Sequence, residues 1–254
     1  PGGRLIGDVV HFVLEHALMS GGLHGASREE ISQQVTGLLE PRLERMQLDA
    51  RWLAPLAATL TTCLAETLTI GDDECRLSKI EACRLATEVP FLLRLGGAAE
   101  FSTRKLAAAF ESSTDSLMHD YARRVRAMSV AGLQGFLAGF VDLVFEANGK
   151  WFVADYKTNY LGPNISNYAT ECLEAAMFEY DYLLQAGLYS VAVGRLLEQR
   201  LPAFNLETDF GGVVYLFLRG LPVDGSPRAG VWHHRPEASF VKALSDALDG
   251  RTAE

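Results

Sequence analysis

The stretch "GFVDLVFEANGKWFVADYK" (139–157) decides the fold, because two strand-like apolar runs flank an Asn-Gly pair. Asn-Gly is the strongest short signal for a two-residue type I′ β-hairpin turn. A turn at Asn148-Gly149 fixes the register of the two strands, and it places Asp142 opposite Asp155. Directly opposed side chains have Cβ atoms roughly 5 Å apart, so the two carboxylates repel each other. The sequence therefore predicts a hairpin that carries an unfavourable acidic pair.

A lysine accompanies this acidic pair. Lys157 follows Asp155 by two residues, so strand alternation puts both side chains on one face. Three arrangements relieve the repulsion: protonation of one carboxyl, an ion pair with Lys157, or a divalent metal bound by both carboxylates. A metal beside a lysine suits phosphodiester hydrolysis, since the metal lowers the pKa of a bound water and the lysine stabilises charge at phosphorus. We therefore expect a metal site that cleaves nucleic acid.

The composition is that of an ordinary globular protein. The chain has 254 residues, 48% of them hydrophobic, and a net charge of −9. No apolar run approaches the roughly 18 residues of a membrane span, and the first residues have neither an initiator Met nor a signal-peptide layout. We expect a piece of a longer protein. Because a general nucleic-acid binder is normally basic, local basic clusters or a partner would have to deliver DNA.

Two common kinds of site are not predicted. The four cysteines form no C-x-x-C pair, so we expect reduced thiols and neither a zinc nor an iron–sulfur site. The chain also has no G-x-x-x-x-G-K-[ST] phosphate loop, so we expect no ATP site within it. The cysteines are Cys63, Cys75, Cys83 and Cys172.

The order of predicted elements is typical of an α/β domain with a mixed central sheet flanked by helices, preceded by a helical segment. We expect one domain over 1–254: a mainly helical part (1–130) with one strand, a core (131–220), and a C-terminal loop and helix (221–254). Pro90 predicts an edge position or a bulge for the first main strand. Helices are predicted at 4–19, 28–68 with breaks, 115–128, 168–200 and 237–249, and strands at 86–95, 135–146, 150–157 and 211–220.

Two finer helix features are also predicted. Ser27-Arg-Glu-Glu30 has the pattern of a capping box that opens a helix at 28. The helix over 168–200 should bury a stripe at spacings of three and four. The members of this stripe are Leu173, Met177, Tyr180, Leu184, Leu188 and Val191.

Four segments resemble the nuclease domain of RecB-type helicase–nucleases, a branch of the PD-(D/E)XK nuclease superfamily with a restriction-endonuclease-like core. The segments are "GFVDLVF", "DYKTNYLG", "YDYLLQAGLYSVAVGRLL" and "FGGVVYLFLRG". The resemblance covers 135–220 strongly and 28–130 weakly, and "GDVVHFVLEHAL" is similar to the family's G-x-x-x-H helix motif. Val141 stands where the superfamily name has Pro, as in the G-x-x-D form of this branch.

The resemblance implies roles for individual residues. His11, Asp142, Asp155 and the main-chain carbonyl of Tyr156 would bind the metal, and Lys157 would be the catalytic lysine. Mg²⁺ is the expected ion, with Mn²⁺ as a substitute.

A second motif is carried by the helix that follows. Gln185 and Tyr189 match the family's Q-x-x-x-Y motif. They are four residues apart, so they share a helix face and would contact substrate or brace the site.

The resemblance also implies a function and partners. The chain would cleave single-stranded DNA, exo- or endonucleolytically, during double-strand-break repair and recombination in the bacterial cytoplasm, with no membrane partner. A helicase portion of the same protein and RecC-like and RecD-like subunits would deliver the strand.

The sequence leaves two rival functions to compare with the nuclease. One is an interaction platform for RecA loading and subunit docking, against which the intact Asp142, Asp155 and Lys157 argue. The other is a carboxylate-pair glycosidase, which gives Lys157 no role.

Other chemistry-bearing residues have plain structural explanations. For Glu88 a surface strand end is favoured over an extra acid near the metal. His233 and His234 are neighbours that point opposite ways on a strand, so the sequence does not predict a metal site there. The arginines of 123–128 are expected on a solvated helix face, with a DNA-contacting or partner-contacting patch as the alternative.

Overall fold

The computed structural model describes residues 3–96, 101–128, 135–221 and 229–251. The predicted boundary at 130 and most of the predicted loop after 220 lie outside these residues. The described helices are α1 (Arg4–Met19), α2 (Arg28–Arg45), α3 (Leu53–Ala65), α4 (Thr103–Glu111), α5 (Ser116–Ala127), α6 (Thr170–Glu179), α7 (Tyr182–Arg200), α8 (Leu206–Asp209) and α9 (Ala238–Leu248). The strands are β1 (Leu68–Ile70), β2 (Asp73–Cys75), β3 (Leu85–Leu95), β4 (Gly135–Ala147), β5 (Lys150–Lys157), β6 (Phe210–Phe217) and β7 (Val231–His234).

Strands β3 to β7 form one five-stranded sheet in the order β3-β4-β5-β6-β7, while β1 and β2 form a separate hairpin. The α/β class with a mixed central sheet flanked by helices is confirmed. Strands β1, β2 and β7 were not predicted, because each has only three or four residues and too short a pattern to recognise.

The central hairpin has the predicted turn. Asn148 and Gly149 have φ values of 53° and 75°, as a type I′ turn requires. The antiparallel register runs from Ala147 opposite Lys150 to Leu143 opposite Ala154, which confirms the predicted pairing over these positions. At the centre of the ladder, Phe145 and Phe152 stack with ring centroids 5.3 Å apart.

Strand β3 lies at the edge of the sheet and is kinked. Its edge position agrees with the expectation drawn from Pro90. Two residues earlier, Glu88 has a φ of 47°, a left-handed conformation that is uncommon for a residue with a side chain. The kink sets the direction of the Glu88 side chain, which therefore does not follow from strand alternation.

The chain divides into two compact units, and the first holds most of the N-terminal helices. Its described residues come from 1–89, 142–173 and 214–233. The apolar faces of α1, α2 and α3 pack with one face of β4, β5 and β6 in a single core. The capping box at the start of α2 is confirmed: the Ser27 hydroxyl accepts from the Glu30 N–H, and the Glu30 carboxylate accepts from the Ser27 N–H.

The second unit draws its described residues from 90–141, 174–213 and 234–254. Its core is aromatic: Phe110 on α4 meets Tyr121 on α5 and Phe240 on α9 edge to face, both at 5.4 Å. Gly187 on α7 allows close packing there, since a Cβ atom at this position would lie 2.8 Å from Leu244.

The predicted single domain over 1–254 stays a prediction.

The predicted long helix over 168–200 is wrong in one respect, because it is two helices, α6 and α7. Asp181 lies between them with a φ of 59°. Its carboxylate accepts hydrogen bonds from the Tyr121 hydroxyl and from Arg124, and both contacts are tertiary. Leu173, Met177 and Val191 are buried as predicted, but Leu184 and Leu188 are only partly buried and Tyr180 is 47% exposed.

The basic run on α5 makes ion pairs inside the second unit. Arg124 pairs with Asp181, Arg126 with Glu111, and Arg123 with Asp120. The three arginine side chains are 40% to 81% exposed, which agrees with the expected solvated helix face.

His234 also has a protein partner, since its Nδ1 lies 3.6 Å from an Asp115 oxygen.

Among the described residues, no helix has the length and apolarity that crossing a bilayer requires.

Candidate metal centre

Helix α1 brings His11 to the end of strand β5. The helix buries an apolar face, and Gly7, one turn before His11, passes close to Thr158. This placement puts His11 Nε2 3.2 Å from the Tyr156 carbonyl oxygen. The other ring nitrogen, Nδ1, lies 3.3 Å from Asp142 Oδ1. Both nitrogens of the imidazole therefore face oxygen acceptors that the sequence analysis expects to be metal ligands.

Asp142 is fixed from two sides. Its second oxygen, Oδ2, accepts a hydrogen bond of 2.8 Å from the Tyr156 N–H. The residue is only 9% exposed, so its carboxylate is held between α1 and β5. A carboxylate held by two contacts is pre-oriented before any ligand arrives.

Asp155 and Lys157 form a buried ion pair. Lys157 Nζ lies 2.6 Å from Asp155 Oδ1, and the two side chains are 13% and 3% exposed. The contact confirms that both side chains lie on one face of β5. Burial and the charge of Asp142 raise the pKa of Asp155 above its ordinary value, while Lys157 and His11 oppose the increase.

The lysine has a further neighbour of its own. Its ammonium also lies 5.1 Å from the centre of the Tyr215 ring. Packing against this aromatic face and pairing with Asp155 both restrict where the Lys157 charge can lie.

Glu88 joins this site, contrary to the preference for a surface strand end. One ligand atom from each of His11, Glu88 and Asp142 lies within 4.8 Å of the other two. Burial and the charge of Asp142 raise the pKa of Glu88 above its ordinary value, while His11 lowers it. The left-handed backbone at Glu88 provides this placement. No sequence motif marks the residue, and only Pro90 beside it indicated an irregular strand.

The raised pKa of His11 reflects the negative charge of the surrounding carboxylates. Burial lowers this pKa, but the hydrogen bond to Asp142 and the charges of Asp142, Asp155 and Glu88 outweigh burial, so it lies above the ordinary value. The surrounding acids thus favour a positive charge at the point where they meet.

The donor set fits a hard divalent cation. Carboxylate and carbonyl oxygens are the ligands that Mg²⁺ prefers, and an added imidazole also suits Mn²⁺. His11, Glu88, Asp142 and the Tyr156 carbonyl supply these donors from α1, β3, β4 and β5. Asp155 is also expected as a ligand; in the structure it pairs with Lys157 beside these donors.

Metal binding should stabilise the fold. We expect Mn²⁺ at a hundredfold its dissociation constant to raise the free energy of unfolding by about 2.7 kcal/mol, which is about 5–10 °C in the midpoint. Asp142→Asn and Glu88→Gln should lose most of this shift in thermal denaturation. Glu146→Gln is a matched control on β4, since Glu146 pairs with Arg84, and should keep the shift. An undiminished shift in Glu88→Gln would remove Glu88 from the proposed ligands.

Gln185 and Tyr189 lie in the second unit, on one face of α7 as predicted. Gln185 Nε2 donates to the Tyr189 hydroxyl at 2.8 Å, and that hydroxyl donates to the Phe140 carbonyl at 3.0 Å. The Tyr189 ring also packs edge to face with Phe91 at 5.8 Å. These contacts brace β4 at Phe140, two residues before Asp142 in the sequence. Of the two expected roles, substrate contact and bracing, they favour bracing.

Comparison with known proteins supports the resemblance. The model of the PD-(D/E)XK nuclease superfamily matches residues 3–250. The chain is 39% identical over 122 residues to "RecBCD enzyme subunit RecB" of Escherichia coli K12, an alignment that covers 48% of this chain and 10% of that protein. The same-named protein of Mycolicibacterium smegmatis is 33% identical over 272 residues, covering 98% of this chain and 24% of the relative.

The relatives are much longer than this chain. The Mycobacterium tuberculosis protein of the same name is 40% identical over 143 residues, which cover 53% of the chain but 13% of the relative. The chain thus spans about a tenth to a quarter of these relatives. The family match, in contrast, includes both His11 and the β4–β5 hairpin and reaches the end of α9. The chain belongs to the PD-(D/E)XK nuclease superfamily.

Proposed function

We propose that this chain is a divalent-metal-dependent deoxyribonuclease that cleaves single-stranded DNA in the manner of a RecB nuclease domain. One observation carries the proposal: His11 lies between the Asp142 carboxylate and the Tyr156 carbonyl, with Glu88 beside them and the Asp155–Lys157 pair on the same strand end. An interaction platform would not need these groups to converge. Relatives named RecB support the assignment to DNA repair and recombination.

The residues of the site would have different roles in hydrolysis. His11, Glu88, Asp142 and the Tyr156 carbonyl would hold Mg²⁺, with Asp155 close by. When bound, Mg²⁺ would polarise a phosphate oxygen and lower the pKa of a water molecule. Lys157 places its ammonium next to these ligands and would stabilise the negative charge that develops on the phosphate. Asp155 holds the ammonium in place through the 2.6 Å ion pair.

Catalysis in this arrangement comes from positions fixed in advance. Asp142 is tied to the backbone of Tyr156, and Lys157 is tied to Asp155 and packed by Tyr215. Groups already in position need little reorganisation as charge develops. Such electrostatic preorganisation is usually the largest single contribution to catalysis of this kind.

The proposal also includes partners and a location. Because the relatives are subunits of "RecBCD enzyme", we propose a helicase portion, RecC-like and RecD-like partners, and location in the bacterial cytoplasm.

The test is cleavage of labelled DNA by the purified chain. We expect Mg²⁺ or Mn²⁺ to support cleavage of a single-stranded oligonucleotide, faster than of the matching blunt duplex, and EDTA to abolish it. A net charge of −9 predicts weak binding that falls further as salt rises. A folded chain that is inert with both metals on both substrates would contradict the nuclease and favour the platform.

A further inference from the structure

The loop after β5 presents an exposed aromatic ring beside the proposed site. Tyr160 lies three residues beyond Lys157 and is 62% exposed. Three residues span at most roughly 10 Å, a distance that covers about three stacked nucleotides. An aromatic side chain that stays this exposed contributes little to folding. The ring is therefore open to a ligand within reach of Lys157.

The backbone around Tyr160 is anchored. Tyr168 is 2% exposed, and its hydroxyl accepts a 3.1 Å hydrogen bond from the Leu161 N–H and donates a 3.3 Å bond to the Asn159 carbonyl. Gly220 packs directly against Tyr168, where a Cβ atom would collide with Tyr168 Cβ and with the edge of its ring. The residues on both sides of Tyr160 are therefore tied to a buried tyrosine, so the loop holds the backbone of Tyr160 at a defined position.

A guanidinium supports the ring. Arg219 Cζ lies 5.8 Å from the centre of the Tyr160 ring. The same side chain donates a 3.0 Å hydrogen bond from Nε to the Thr158 carbonyl. Arg219 thereby links the ring to the segment that leaves the site. Arg219 also places a positive charge beside the Tyr160 ring, which favours a polyanionic ligand over an apolar protein surface.

We propose that Tyr160 stacks on a nucleobase of single-stranded DNA within about three nucleotides of the scissile phosphate, with Arg219 as a positioning residue. The inference rests on the proposed function and names the contact that would hold the strand there. A single strand offers the open base face that stacking needs, and such stacking tolerates any base sequence. This contact would also give an acidic nuclease affinity that does not depend on net charge.

Binding without cleavage tests the contact. Fluorescence anisotropy in EDTA would follow a labelled single-stranded oligonucleotide and an abasic oligonucleotide of equal length. Tyr160→Ala should weaken binding of the first about tenfold, equal to about 1.4 kcal/mol, and leave binding of the second unchanged. Tyr160→Trp and Tyr160→Phe should bind like the parent, because the Tyr160 hydroxyl makes no hydrogen bond within the described residues. Tyr180→Ala, which removes another exposed tyrosine, should also leave binding unchanged.

The positioning role of Arg219 has its own readout. Arg219→Ala should weaken binding of the normal oligonucleotide, and adding it to Tyr160→Ala should cost little more, since both changes remove one contact. Equal binding of the normal oligonucleotide by Tyr160→Ala and the parent would overturn the proposal. So would an equal loss of affinity for the abasic oligonucleotide in Tyr160→Ala, or a parent that binds the normal and abasic oligonucleotides equally well. Cleavage is scored separately: base-dependent binding in a chain inert with Mg²⁺ would sustain the contact and defeat the nuclease.

Discussion

Replacing Asp155 with asparagine should reduce DNA cleavage by a factor on the order of 10³ or more, which is about 4 kcal/mol of transition-state stabilisation. The reason is the position of this carboxylate, which is buried within the field of Asp142 and His11 and lies 2.6 Å from Lys157. The substitution removes negative charge from the proposed cation site and weakens the hold on the Lys157 ammonium. Cleavage of labelled single-stranded DNA in Mg²⁺ measures the effect.

The choice of asparagine protects the fold. Alanine would remove the carboxylate from the buried Asp155–Lys157 ion pair, and breaking a buried ion pair in this way costs about 3–5 kcal/mol. An asparagine oxygen can still accept from the ammonium, so the thermal midpoint should stay close to that of the parent. Asp155→Ala should also abolish cleavage, with a lower midpoint. Parental cleavage by a folded Asp155→Asn variant would refute the proposed site.

Asp73→Asn is the matched control for this change. Asp73 makes an ion pair of 2.7 Å with Lys150, at the opposite end of strand β5. The substitution removes the same charge from a pair of similar geometry, away from the proposed donors. We expect cleavage at the parental rate, and a comparable loss in this variant would show that Asp155→Asn acts through stability alone.

Replacing Lys157 with methionine should slow cleavage by about 10²–10³-fold, the usual cost of losing one group that stabilises transition-state charge. Methionine keeps the unbranched shape of the side chain but has no charge. Metal binding should persist, because Lys157 is not one of the donors, so the Mn²⁺-induced rise in thermal midpoint should remain. This combination of lost cleavage and retained metal stabilisation separates a catalytic lysine from a structural one.

The control for this prediction lies on the same strand. Lys150→Met removes an ion-paired lysine at the other end of β5, and it should leave cleavage unchanged. If Lys157→Met also abolished the Mn²⁺ effect, the lysine would be needed to build the donor set. If it retained parental cleavage, the ammonium would have no part in the reaction.

The hairpin is the part of this protein that sequence alone determined. The conformation of Asn148-Gly149 is a local property, because an Asn-Gly pair adopts positive φ at both residues at little cost. Once that turn is set, the ladder and the shared face of Asp155 and Lys157 follow from alternation. The cap at Ser27 was predictable for the same reason, since its two hydrogen bonds join residues three apart.

Other features were decided by contacts between residues distant in sequence. The break between α6 and α7 depends on Asp181 accepting from Tyr121 and Arg124, some 60 positions earlier, and nothing in the local sequence marks it. The entry of Glu88 into the site depends on a kink in an edge strand and on α1 carrying His11 to the same point. Sequence set the turns and the strand faces because those energies are local, whereas only tertiary packing could bring α1, β3 and the hairpin to one place.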